Sequence, residues 1–127
     1  QALALVSIHA DSCQYINDQA TGFKVAASVY NPRPERTARL EACLVNRYAR
    51  ATGLQEHAGI TEDMSGYHAF DEIGEDTPAV IIETGFMNLD RQILTQNSNQ
   101  IAHGIADGIL CYIRNESVSA EPTTDEP

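Results

Sequence analysis

Two polar side chains in this 127-residue sequence close apolar runs in the same manner. His9 follows Leu3-Ala4-Leu5-Val6-Ser7-Ile8, and Glu83 follows Ala79-Val80-Ile81-Ile82. A neutral imidazole can ligate zinc, and a carboxylate nearby can take a proton from metal-bound water. The pair therefore carries the chemistry of a metal-assisted hydrolase. Each residue also has a plainer use: a strand-terminal His as a hydrogen-bonded loop residue, a strand-terminal Glu as a partner for a helix start or an arginine. Gly85, two residues after the acid, gives backbone freedom for a sharp turn.

For His9 and Glu83 to act together, the strands that carry them must lie side by side. Residues 3–8 form a short apolar run broken only by Ser7, which suits a strand buried on both faces. Residues 79–83, after Pro78, read the same way. Residues 11–22 are rich in Asn, Asp, Ser and Gly and predict a loop. In residues 23–30, Phe23, Val25, Ala27 and Val29 alternate with Lys24, Ala26, Ser28 and Tyr30, the period of a half-exposed strand. After Asn31-Pro32-Arg33-Pro34 a helix is expected, with Leu40, Leu44, Val45 and Tyr48 on one face and Gly53 as its C-terminal cap. Residues 55–76 lack a period and predict irregular structure with short elements at most. Asp90 is placed to cap a short helix holding Ile93 and Leu94. Ser98 is placed to cap a last one, in which Ile101, Ile105, Ile109 and Ile113 recur every four residues. Strands alternating with helices predict an α/β layer fold with a largely parallel or mixed central sheet. Its strand ends form the edge where such folds place ligands.

Composition narrows the partners. Eighteen acidic against eight basic residues give a net charge of −10, which excludes the phosphate-neutralising mode of nucleic-acid binding and gives no support for anionic lipid. No apolar run is long enough to span a membrane. The sequence opens on Gln1 and runs straight into apolar residues, so we expect the start of the gene product to lie upstream. Residues 1–114 read as one domain portion, and residues 115–127, with acids, prolines and no basic residue, as an acidic tail or linker. Cys13, Cys43 and Cys111 are odd in number and widely spaced, which predicts free thiols, buried at Cys43 and Cys111.

Several segments resemble the zinc-dependent N-acetylmuramoyl-L-alanine amidases, a family of cell-wall hydrolases. Ser7-Ile8-His9-Ala10-Asp11 is similar to that family's S-[IL]-H-A-[ND] motif, and the run from Pro78 through Glu83 to Gly85-Phe86-Met87-Asn88 is similar to its PAVLVE-x-GF segment. Thr52-Gly53-Leu54 and the stretch Ile101-Ala102-His103-Gly104-Ile105-Ala106-Asp107-Gly108-Ile109 resemble its middle-helix end and terminal helix. The resemblance runs from about residue 3 to 113 in matching order, and the two catalytic motifs together are fairly specific.

The resemblance implies that His9 is a zinc ligand and Glu83 the general acid/base. It further implies hydrolysis of the bond joining N-acetylmuramic acid to L-alanine in peptidoglycan, outside the cytoplasmic membrane. Family members hold zinc with three protein ligands, a His in a GHGG-like loop, a Glu, and the His of the SIHA motif. Only the last is in this sequence, so the others and the first strands of the sheet are expected upstream, leaving an apolar edge beside residues 3–8. Two other readings stay open: a non-catalytic peptidoglycan-binding or regulatory module on the same scaffold, and a zinc peptidase of related fold. Of the remaining candidates, His68 falls where the family lines its substrate groove, His57 and His103 read as surface residues, and Cys13 is close enough in sequence to approach the metal.

Overall fold

The structure, a computed structural model, describes residues 2–118. Three strands, β1 (Leu5–Asp11), β2 (Lys24–Ala27) and β3 (Ala79–Phe86), form one sheet in the order β1-β3-β2. β1 runs parallel to β3 and β2 antiparallel to it, so the sheet is mixed. β3 holds the centre and is buried almost throughout, as its unbroken apolar run requires. β1 is an edge strand. Its apolar run predicts burial on both faces, but Ile8 is 57% exposed, because its side chain borders an open groove with Met87 and Leu94. β2 departs the other way: alternation predicted an open face, yet Lys24 and Ala26 are buried along with Val25. The cover over that face comes from the irregular stretch, in which α2 (Glu62–Ser65) and α3 (Ala69–Glu72) pack Met64, Tyr67 and Phe70 against Ala26 and Ile81.

The opposite face of the sheet carries the main core. Phe23, Val25, Val80 and Ile82 meet Leu40, Leu44 and Tyr48 of α1 (Pro34–Thr52) and Ile105 and Tyr112 of α5 (Ser98–Ile113). α1 forms where expected: proline opens its first turn, and its apolar residues recur every four. Gly53 ends it in the left-handed conformation, with its N–H donating to the Ala49 carbonyl.

α5 turns its isoleucine stripe to the core as far as Ile109, with Ile105 buried and Ile101 and Ile109 packed against it, and buries two glycines beside them. Gly104, Ile105, Gly108, Cys111 and Tyr112 are buried, while Ile113 is 49% exposed. The glycines decide this, because they let α5 lie against α1 with almost no gap. A Cβ at Gly108 would sit 2.9 Å from Leu44 Cα, and one at Gly104 would sit 3.1 Å from Tyr48 Cα. Gly108→Ala is accordingly expected to lower stability. Helix propensity favours Ala by about 1 kcal/mol, but overpacking costs roughly 1–3 kcal/mol. Since the clash is with backbone, a net loss of about 1–2 kcal/mol is expected in denaturant unfolding. An unchanged midpoint would show that the helix pair relaxes freely.

The cysteines correct another expectation. Cys43 and Cys111 are not free thiols but form a disulfide between α1 and α5, with Cα atoms 5.6 Å apart. The helix contact set by the two glycines brings them into range. Cys13 is free and exposed.

Asp90 precedes α4 (Arg91–Gln96) but makes no side-chain cap there. Its buried carboxylate instead accepts the N–H groups of Gly22 and Phe86, each at 2.9 Å, and the Thr21 hydroxyl. It thus clasps the loop before β2 to the end of β3. Gly22 is needed at that clasp, since φ is 102° and a Cβ would collide with the Gln55 carbonyl.

No helix among the described residues is long and apolar enough to cross a membrane. Of the acidic tail, residues 115–118 fold back on the helix pair: Glu116 pairs with Arg47, and Val118 packs against the core. The rest of that segment, residues 119–127, lies outside the described residues.

Candidate functional site

His9 and Glu83 face each other directly across β1 and β3, in register. Neighbouring strands lie about 4.8 Å apart, so the two side chains rise side by side from one face of the sheet. The face is the one covered by α2 and α3. A cleft of about 330 Å³ opens there, lined by His9, Asp11, Lys24, Thr61, Asp63, Met64, Tyr67, Ile81 and Glu83.

Each strand is locked near the site. Thr84 Oγ1 donates to the His9 carbonyl (2.9 Å), and the buried Tyr48 hydroxyl donates to the Thr84 carbonyl (2.6 Å), tying α1 to the strand that holds Glu83. Burial, and then the charge of Asp90, push the Tyr48 phenol far above its ordinary range, so it stays a donor. Just past His9 the β1–β3 register slips by one residue, bringing Asp11 opposite Phe86.

The His9 ring is oriented by its neighbours. Ser7 Oγ and His9 Nε2 share a hydrogen bond of 3.0 Å, Ser7 Oγ donates to the Tyr67 hydroxyl at 3.4 Å, and the Tyr67 ring meets the imidazole edge-on at 5.2 Å. Glu83 is different. Its Oε2 is buried and has no hydrogen-bond partner among the described residues. Buried carboxylate oxygens are normally satisfied, so an orphan beside an imidazole marks a place for a ligand, water or ion. Burial raises the Glu83 proton affinity above the usual carboxylate value and Asp11 adds to the rise, while His9 and Lys24 only partly oppose it.

Sequence reasoning missed Lys24 altogether. Its ammonium lies 2.8 Å from Asp11 Oδ2 and 4.9 Å from the centre of the Phe86 ring. Burial pulls Asp11 upward, but hydrogen bonds from Lys24 and Ser12, with the charges of Lys24 and His57, leave it below the ordinary value. Pairing Lys24 with Glu83 across β2 and β3 is invisible until the antiparallel register is known.

The other candidates fall elsewhere. His57 is half-buried, its ring packed on Phe86 at 5.2 Å and its Nδ1 accepting the Gly59 N–H. His68 is exposed beside Tyr67 at the rim of the cover, and His103 is exposed on α5. Cys13 lines a groove beside α4 with Ile8, Met87 and Leu94 and does not line the cleft of Glu83. Among the described residues, no group of three His, Cys, Asp or Glu side chains is placed to hold a metal ion.

Similar proteins share this architecture. The catalytic domain of CwlV, an N-acetylmuramoyl-L-alanine amidase from Bacillus (Paenibacillus) polymyxa var. colistinus, superposes with a TM-score of 0.62 at 26% identity, over 89% of this chain and 59% of that one. The amidase Ami1 from Mycobacterium smegmatis superposes with a TM-score of 0.70 at 20% identity, over 89% of this chain and 55% of that one. The CwlD amidase from Clostridioides difficile, solved in complex with the GerS lipoprotein, gives 0.65 at 20% identity, over 90% and 56%. The chain therefore spans less than two thirds of the length of these structures. No curated protein sequence matches it. The sequence profile of the N-acetylmuramoyl-L-alanine amidases matches residues 1–111. With that profile covering most of the sequence and the fold agreeing, this chain belongs to the N-acetylmuramoyl-L-alanine amidase family.

Proposed function

We propose that the full-length protein hydrolyses the amide bond between N-acetylmuramic acid and L-alanine in peptidoglycan. In this reading zinc is the resident metal, His9 is one of its ligands, and Glu83 is the general acid/base. The observation that carries it is the orphaned, buried Oε2 of Glu83 directly across from His9. Family membership supports the reaction class.

A lone imidazole holds zinc too weakly to retain it, since catalytic sites use three protein ligands plus water. His9, with its ring already oriented by Ser7, fits one corner of such a site. When bound, zinc supplies Lewis acidity at the scissile carbonyl and acidifies a water. Glu83 would take a proton from the attacking water at its free oxygen as that water adds to the scissile carbonyl, and would return it to the L-alanine nitrogen as the C–N bond breaks. Its raised proton affinity suits a group that must both accept and donate. The substrate places the enzyme outside the cytoplasmic membrane. The Cys43–Cys111 bridge supports the same location, because disulfides persist in oxidising compartments.

The test is to digest purified peptidoglycan with the full-length protein and its His9→Ala variant, assaying new L-alanine amino termini and bound zinc. The parent is expected to release amine and carry stoichiometric zinc, and the variant to lose both. Full zinc in His9→Ala would refute the ligand assignment. Muropeptide binding with no amine release by the parent would identify a non-catalytic module instead.

A further inference from the structure

We propose that Asp11 is a positioning residue that holds the Lys24 ammonium away from Glu83, keeping that carboxylate free to serve as a base. The inference rests on the reading of Glu83 given above.

Lys24 and Glu83 are directly opposed in the antiparallel β2–β3 pair, and both side chains enter the same cleft. Opposed residues have Cβ atoms about 5 Å apart, well within the reach of a lysine side chain. The Lys24 side chain is 7% exposed, so its ammonium cannot escape to bulk water and must find a partner inside. Two carboxylates compete for it. The nearer register partner loses: Nζ sits 2.8 Å from Asp11 Oδ2, and Glu83 Oε2 is left with no partner among the described residues.

Three features decide that competition. The Ser12 N–H donates to Asp11 Oδ1 at 2.8 Å and turns Oδ2 toward the lysine. The register slip after His9 sets Asp11 opposite Phe86, at the far end of the lysine stem from Glu83. The Phe86 ring then receives the ammonium over its face. Without Asp11, the anion within reach is Glu83. A carboxylate captured by that ammonium has its free lone pairs occupied and its charge compensated, which removes it as an acceptor for a proton from water.

The test compares four variants of the full-length protein, Asp11→Asn, Lys24→Gln, the double variant and Glu83→Gln, with bound zinc measured in each. Asp11→Asn is expected to lose roughly a hundredfold in kcat, the scale of a general-base contribution. The double variant is expected to recover most of that loss, since no ammonium remains to capture Glu83. A crystal structure of Asp11→Asn should show Lys24 Nζ within hydrogen-bond distance of the Glu83 carboxylate. Where Asp11→Asn does not fold, Lys24→Gln and the double variant carry the comparison, and equal kcat in those two is the expected result. Unchanged kcat in Asp11→Asn, or a further loss of about tenfold on adding it to Lys24→Gln, would overturn the proposal. An inactive Glu83→Gln beside a fully active Asp11→Asn sinks this inference alone. An active Glu83→Gln sinks the base assignment beneath it.

Discussion

Replacing Glu83 with Gln is expected to lower kcat by a factor of about 10² to 10⁴, the usual contribution of a positioned acid/base group. Zinc content should stay at the parental level. Gln has nearly the same shape, so the packing of β3, buried almost throughout, is not disturbed. Glu83 Oε2 has no hydrogen-bond partner among the described residues, so the amide can be placed there without the loss of an internal hydrogen bond. The substitution therefore removes proton transfer and little else. Rates on purified peptidoglycan, elemental analysis and a melting curve measured together separate the outcomes. A loss of activity accompanied by loss of zinc would move Glu83 from base to ligand. Turnover within a few-fold of the parent would end its assignment to either role.

The second large effect concerns stability. The Cys43–Cys111 disulfide joins α1 to α5 through cysteines 68 residues apart in sequence, closing a loop that contains β3 and the whole cover of the cleft. Cross-linking a loop of that length restricts the unfolded chain by an entropy worth about 4 kcal/mol. Removing it by Cys43→Ala with Cys111→Ala, or by reduction, is expected to lower Tm by on the order of 10–20 °C. Both cysteines are buried, so reduction in the folded protein should be slow unless denaturant is present. Equal melting points with and without the bridge would show that the glycine-mediated contact of α1 and α5 already fixes the helix pair.

How far the sequence reaches can be argued residue by residue. The adjacency of the strands bearing His9 and Glu83 is legible because both apolar runs read as sheet strands, although only β3 is buried almost throughout. Helix α1 is legible for an equally local reason, with a proline to start it, a glycine to stop it and a four-residue apolar repeat between. Lys24 is not legible. Alternation assigns it to an open face, and its burial depends on Met64 and Tyr67, which come from a stretch with no periodicity of its own. The disulfide is hidden for a related reason. Cysteine spacing says nothing about two helices whose mutual register is set by Gly104 and Gly108. The isoleucine series does mark the core side of α5 at Ile101, Ile105 and Ile109, but periodicity gives no weight to the glycines that share it. Position before α4 suggests Asp90 as its cap, but the backbone donors of Phe86 nearby and of distant Gly22 outcompete the helix start for its carboxylate.

The two faces of the sheet are fastened very unequally. On one, α1 and α5 are bolted together by a covalent bridge and packed around a large aromatic and aliphatic core. On the other, α2 and α3, each four residues long, are held mainly by Met64, Tyr67 and Phe70 resting on Ala26 and Ile81. Local opening follows the number and burial of apolar contacts, so the cover should come away as a unit of its own at a free energy well below global unfolding. The imidazole and the carboxylate rise from the sheet into the softly covered face. Under the proposed function, a bulky polymer reaches them by displacing the roof, while the strands that carry them stay fixed to the core beneath.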